Sequence, residues 1–184
     1  MSEIALLTTQ GLSRHLVQEL RSDHAGETGA VYIYKGIQTV AQWRGDLELM
    51  AFAQAHGATE ADHLAEVENW LPASQRSRLL EPWRWAGWLT GALPALMGRR
   101  AVYATIAAVE TFVDRHYQQQ IDHLHRQGGP EGLLSLLMRC QADEQHHRDE
   151  SAALAGDHQG WALRLWCWTV GFGSAAAVVL ARRL

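Results

Sequence analysis

Apolar residues recur every three or four positions along most of the chain, the period of an amphipathic helix, and strand-like alternation is scarce. Leu12, Leu16 and Leu20 open one such stripe; Ile33, Ile37 and Val40 continue it. The pattern predicts a first helix over about 12–43, with Ser13 as its cap, and a second over about 46–70, stopped by Pro72. "EPWRWAGWLTGALPALMG", residues 81–98, reads as a tryptophan-rich apolar connection of helical character. A third helix is expected over about 99–127, closed by Gly128-Gly129-Pro130, and a fourth over about 131–156. A last apolar segment covers about 161–180. Residues 1–184 thus read as one all-α domain, a four-helix bundle with extra tryptophan-rich apolar segments at 81–98 and 161–180.

Composition narrows this only a little. At 47% hydrophobic the 184 residues can bury a substantial core, so disorder is excluded as the main state. A net charge of −4 with no basic tail or stripe argues against nucleic acid as a partner. Cys140 and Cys167 match no zinc spacing and read as buried thiols in a reducing compartment. "MSEIALLTTQG" has neither a basic n-region nor an apolar h-region, and lacks the arginine-rich character of a transit peptide. The expected location is bacterial cytoplasm.

One stretch contradicts good helix design. "DHAGETGA", Asp23 to Ala30, puts Gly26 and Gly29 inside a long helix, where each costs about 1 kcal/mol relative to Ala. Glu27 stands between them. The second helix then carries Glu60 and His63, the third Glu110, and the fourth Glu144 and His147. Glu27 precedes Glu60 by 33 residues and Glu110 precedes Glu144 by 34. Two helix pairs therefore follow one plan: a lone Glu, then Glu-x-x-His.

Residues i and i+3 share a helix face, so each Glu-x-x-His aims a carboxylate and an imidazole at one point. Four carboxylates and two imidazoles in a bundle core form the ligand plan of ferritin-like di-iron and di-manganese proteins, and such ligands suit Fe or Mn. Composition alone would yield about 0.65 Glu-x-x-His pairs in a chain with this much Glu and His, so two pairs prove little. Context carries more weight. Glu110 lies in "YATIAAVETFV", where an unpaired buried carboxylate would be very costly. Two Fe²⁺ ions would cancel four carboxylate charges that otherwise repel. The glycines beside Glu27 would then keep space open for dioxygen and a substrate. Asp143 reads either as an outer carboxylate orienting the histidine of the opposing pair or as a surface residue. Asp143 and His146 also have i, i+3 spacing, which leaves the register open. Tyr117, seven residues after Glu110, is a core aromatic or a redox or substrate contact. His15, His56, His123, His125 and His158 show no pairing and are expected at the surface.

With "DHAGETGA", "EADH", "VETFVDRHYQQQI" and "DEQHH" in this order, the chain resembles the demethoxyubiquinone hydroxylases, di-iron monooxygenases of ubiquinone biosynthesis, over nearly its whole length. Thr28 departs from the aromatic residue the family often has there. The resemblance implies six iron ligands, Glu27, Glu60, His63, Glu110, Glu144 and His147, with Glu60 and Glu144 as bridges. It resolves the register in favour of Glu144 and His147, and brings His116 and Tyr117 near quinone and iron as catalytic residues. It implies two Fe ions, O₂ as co-substrate, and insertion of one oxygen atom into the ring of a polyprenylated methoxy-methyl-benzoquinol. Partners in ubiquinone biosynthesis are implied with it. No Gly-x-Gly-x-x-Gly occurs; the electrons come from NADH directly, a reductase or the quinol.

A polyprenyl substrate lives in a bilayer. Residues 81–98 and 161–184 hold six of the eight tryptophans, Trp83, Trp85, Trp88, Trp161, Trp166 and Trp168, with flanking arginines. They are expected to attach the protein peripherally to the inner face of the cell membrane; Arg164 interrupts the last segment as a span. The competing function is iron oxidation and storage in the ferritin or bacterioferritin manner, which needs the same ligands but no organic substrate.

Overall fold

The computed structural model describes residues 12–157 and 160–184; the expectations for "MSEIALLTTQG", residues 1–11, and for His158 lie outside the described residues. Among the described residues there are six α-helices and no strand: α1 (Arg14–Arg44), α2 (Leu47–Trp70), α3 (Leu80–Met97), α4 (Arg99–Gln127), α5 (Glu131–Ala155) and α6 (Trp161–Ala181). The tryptophan-rich connection is a complete helix, α3. It carries Pro94 inside its last turn and ends at Gly98.

Local chemistry sets the boundaries. Ser13 caps α1 by accepting from the Leu16 amide at 3.2 Å. α1 ends at Gly45, whose φ of 66° is left-handed and reverses the chain at once into α2. Asp46 caps α2, accepting from the Leu49 amide at 3.0 Å, while Arg99 holds the same carboxylate. Gly128 and Pro130 separate α4 from α5.

α1 packs against α2 and α4 against α5, and the two hairpins form a bundle. Its apolar interior is divided in two. One cluster holds Tyr34, Ile37, Leu49, Val102 and Ile106; the other holds Leu20, Val67, Ile121, Leu133 and Leu137. Each such buried side chain contributes roughly 1.5–3 kcal/mol, so packing on both sides holds the polar layer between them.

The outer helices attach differently. α3 lies directly on α1: a Cβ at Gly87 would collide with the Gly29 carbonyl, one at Gly91 with the Ile33 carbonyl, and one at Gly36 with the Trp88 carbonyl. The backbones touch because these residues have no side chain. α6 is fastened at its ends. Trp166 Nε1 donates to Thr105 Oγ1 at 2.9 Å near the start. Near the finish, Arg182 donates to Glu19 at 2.7 Å and the Arg78 amide to the Leu184 carbonyl at 3.0 Å. α6 is the one described helix long and apolar enough to cross a membrane, and only 6% of its apolar window is buried.

Candidate metal centre

The inward stripe of α1 runs through Leu16, Leu20, Ile37 and Ala41, and Asp23 and Glu27 take two of its positions between them; all six are buried. α2 contributes Glu60 and His63, α4 Glu110, and α5 Glu144 and His147. None of these six donors is more than 5% exposed. They converge as two overlapping groups, Glu27, Glu60, His63 and Glu144, and Glu60, Glu110, Glu144 and His147, each with its donor atoms within 4.8 Å of one another. Glu60 and Glu144 belong to both groups.

The donors point at common space more than at each other. His147 Nδ1 lies 3.0 Å from Glu60 Oε1, yet neither atom has hydrogen-bond geometry, and Glu27 Oε2, His63 Nδ1 and Glu144 Oε2 are also buried without a partner. Buried polar atoms are ordinarily satisfied. A set of oxygen and nitrogen lone pairs left unsatisfied around one volume fits cations bound between them, with the ligand types of Fe or Mn.

Electrostatics agrees. Burial, then the charges of Glu60 and Glu144, push the Glu27 carboxyl well above the ordinary range. Burial and the same repulsion act on Glu110, and Glu60 is raised mainly by burial. Burial works against Glu144 too, but His147 and His63 outweigh it and hold that carboxyl at about 2. Burial disfavours charge on the imidazoles, yet the carboxylates raise His63 to about 10 and His147 to about 9. Without cations the cluster must retain protons, and metal would replace them.

Around the centre, Asp143 Oδ2 meets His63 Nε2 at 3.0 Å, across the bundle. The Tyr117 hydroxyl donates to Glu27 Oε1; burial keeps that phenol protonated. His116 Nε2 lies 2.9 Å from Asp23 Oδ1 and 3.2 Å from Ser22 Oγ, and Gln120 donates to the same Asp23 oxygen at 2.7 Å. Asp23 and Gln120 are polar core residues that the sequence reading did not single out; their signal is i, i+4 spacing from Glu27 and His116. Thr28 is buried and its hydroxyl returns to the His24 carbonyl at 2.7 Å.

His56 corrects an expectation. Far from lying at the surface, it is 5% exposed. It precedes Glu60 by four residues and His63 by seven, so it shares their face. Its ring lies between those of Phe52 and His147, each 4.2 Å away, and Nε2 meets Glu150 Oε2 at 2.9 Å. Burial and the nearby His147 lower it to about 4. His15 and His125 are exposed, and His123 is half-buried against the His15 ring. Cys140 is buried, but Cys167 is only partly so.

A cavity of about 360 Å³ extends from the carboxylates toward α3 and α6. Glu27, Glu110 and Tyr117 line its inner end, while Trp83, Trp166 and Ala177 are among the residues farther out. Gly26 and Gly29 also line it, and a Cβ at either would meet nothing within 4 Å. The six tryptophans of the apolar segments divide: Trp85, Trp161 and Trp168 are exposed, whereas Trp83, Trp88 and Trp166 are half-buried.

The family model of "Ubiquinone biosynthesis protein COQ7" matches residues 14–181. The chain belongs to that family. Similar proteins include the 3-demethoxyubiquinol 3-hydroxylase of Rhodospirillum rubrum, 35% identical over 172 residues, covering 90% of this chain and 76% of that protein. The enzyme of the same name from Legionella pneumophila strain Paris is 34% identical over 136 residues, 73% of this chain and 62% of its own length. The human NADPH-dependent 3-demethoxyubiquinone 3-hydroxylase, mitochondrial, is 34% identical over 149 residues, 78% of this chain and 67% of that protein.

Proposed function

We propose that this chain is a di-iron monooxygenase that hydroxylates the ring of a polyprenylated demethoxyubiquinol with O₂, late in ubiquinone biosynthesis. The carrying observation is a set of six buried donors, several without partners, at the inner end of a cavity whose walls are mostly apolar. Glu27, Glu60, His63, Glu110, Glu144 and His147 would hold the two Fe ions, Glu60 and Glu144 being the carboxylates common to both groups of donors. The iron pair would supply electrons for the reduction of O₂. One oxygen atom enters the ring, the other leaves as water, and two external electrons complete the balance.

The chain's own groups do the rest. His116, held by Asp23, and Tyr117, hydrogen-bonded to Glu27, face the cavity where the quinol ring lies and orient it. Gly26 and Gly29 leave room for the ring, and α3 and α6 exclude water. NADH is the proposed donor, a reduced nicotinamide like the NADPH in the human relative's name. Exposed Trp85, Trp161, Trp168 and Phe172 seat α3 and α6 peripherally on the inner face of the bacterial cell membrane. Iron storage, the other use of this ligand set, has no need for such a cavity.

The test is the quinone profile of a strain lacking this chain, with iron counted on the purified protein. Demethoxyubiquinone should accumulate, and the chain should bring ubiquinone back. A normal profile in the deletion strain, or a protein that takes up no iron anaerobically, overturns the proposal.

A further inference from the structure

A second cavity, of about 430 Å³, opens between α2 and α5. It reaches His147 from the side away from the apolar cavity. Glu48, His56, Thr59, His146, His147 and Glu150 supply its polar lining, with no Lys or Arg among the lining residues. Glu48 alone meets a cation, Arg99. Glu150 stands at the centre: its Oε2 lies 2.9 Å from His56 Nε2 and 3.8 Å from His146 Nε2. Ligands bound about 2.1 Å from one first-row metal ion lie roughly 3.0–3.4 Å apart; the Glu150–His56 pair is close to that spacing, and rotation of the exposed His146 side chain would bring a third donor to the same ion. His56 and His147, at most 5% exposed, each keep a buried Nδ1 without a hydrogen-bond partner.

The two cavities suit different visitors. A hydrated divalent cation will not cross the greasy cavity under α3 and α6, because stripping its water there costs far too much. The anionic phosphates of a nicotinamide nucleotide are a poor match for the carboxylates of the second cavity.

We infer that His56, His146 and Glu150 form a docking site for a divalent cation on its way to the buried centre, passing the imidazoles of His56 and His147. The inference rests on the di-metal reading above. The cation docks on Glu150 and His146 at the surface, then exchanges onto His56. His147 and Glu60 receive it from there.

Loading of the full-length, chelator-stripped chain with Co²⁺ and with anaerobic Fe²⁺, followed by stopped-flow absorbance, tests this. Glu150→Gln combined with His146→Ala alters two side chains that are 42% and 75% exposed, so the fold should stand, as thermal unfolding will show. The double variant should load at least roughly tenfold more slowly and still reach two metals per chain. Gly29→Val, which fills the other cavity, should load at the wild-type rate. Wild-type loading by the double variant, or slow loading by Gly29→Val alone, overturns the inference while leaving the di-metal reading intact. A final stoichiometry below two in the double variant makes Glu150 part of the centre and also overturns it. A wild-type chain that binds no metal removes both readings.

Discussion

The two hairpins carry the same donors in different surroundings. α1–α2 offers Glu27, Glu60 and His63; α4–α5 offers Glu110, Glu144 and His147. The residue before Glu144 is Asp143, which supports His63 across the bundle. The residue before Glu60 is Thr59, which lines the open cavity beside His147. One histidine is therefore backed by a carboxylate, and the other lies against the His56 ring. The lone glutamates differ as well. Glu27 sits among glycines and accepts from Tyr117, while Glu110 sits between Val109 and Thr111 with Glu144 as its neighbour. Repetition supplies the six donors, and departures from it leave a mostly apolar cavity on one side and a polar one on the other.

The strongest way to break both halves at once is to remove a shared carboxylate. Glu60→Ala or Glu144→Ala should abolish two-iron occupancy and hydroxylation while leaving the helices formed, because the flanking apolar clusters hold the bundle. Circular dichroism and iron counts on the same sample check this. Two irons retained in both variants would rule out the shared role.

Filling the wall on the α1 side should separate chemistry from binding. Gly26→Val or Gly29→Val meets no atom on adding its Cβ, so iron stoichiometry should be unchanged and the unfolding temperature nearly so, yet ubiquinone should not return to a deletion strain. Normal ubiquinone with both variants would mean that the glycines are not pocket walls.

Asp143→Ala would make the histidines alike. Loss of such an outer carboxylate typically weakens metal binding roughly 10–100-fold, and competition with a chelator reads that directly. Unchanged affinity would show that Asp143 Oδ2 contributes nothing through His63.

The smallest effect contrasts the first turns of α2 and α5. Asp46 caps α2, whereas α5 begins after Pro130 with no side-chain cap. Hydrogen bonding to Arg99 keeps the Asp46 carboxyl below its ordinary value. Its contribution is then present above the unfolded value of about 3.9 and is lost as pH falls through the lower folded value. Asp46→Ala should cost about 1 kcal/mol at neutral pH, and the gap in unfolding temperature should close as pH drops below about 4. A gap that stays constant to pH 2 would separate the effect from that carboxylate's charge.

Much of this was legible because long helices announce themselves. The period of three to four, Ser13, Pro72 and the Gly128–Pro130 break locate α1, α2, α4 and α5 within two residues of their ends. α3 was harder. Its tryptophans, glycines and Pro94 obscure any stripe, and it buries mostly Gly and Ala against α1. The six donors stood out through spacing, since carboxylates within apolar or glycine-rich helix are costly anywhere else. His56 did not, because it belongs to no Glu-x-x-His pair, and its i, i+4 relation to Glu60 is a common spacing on any helix. Its neighbours, His147 and Glu150, come from a helix far along the chain, Glu150 being 94 residues later, and only folding brings them together.

The glycine contact between α1 and α3 has an evolutionary consequence. Any side chain at Gly87 or Gly91 strikes α1 backbone, so the spacing of the two helices is closed to mutational exploration at those positions. Gly171 and Gly173 of α6 face open space, and Ser174 and Ala177 line the cavity. Drift toward bulkier or smaller substrates can accumulate at Gly26 and Gly29 of α1 and along α6, one side chain at a time, while the α1–α3 contact stays as the fixed reference against which each change is fitted.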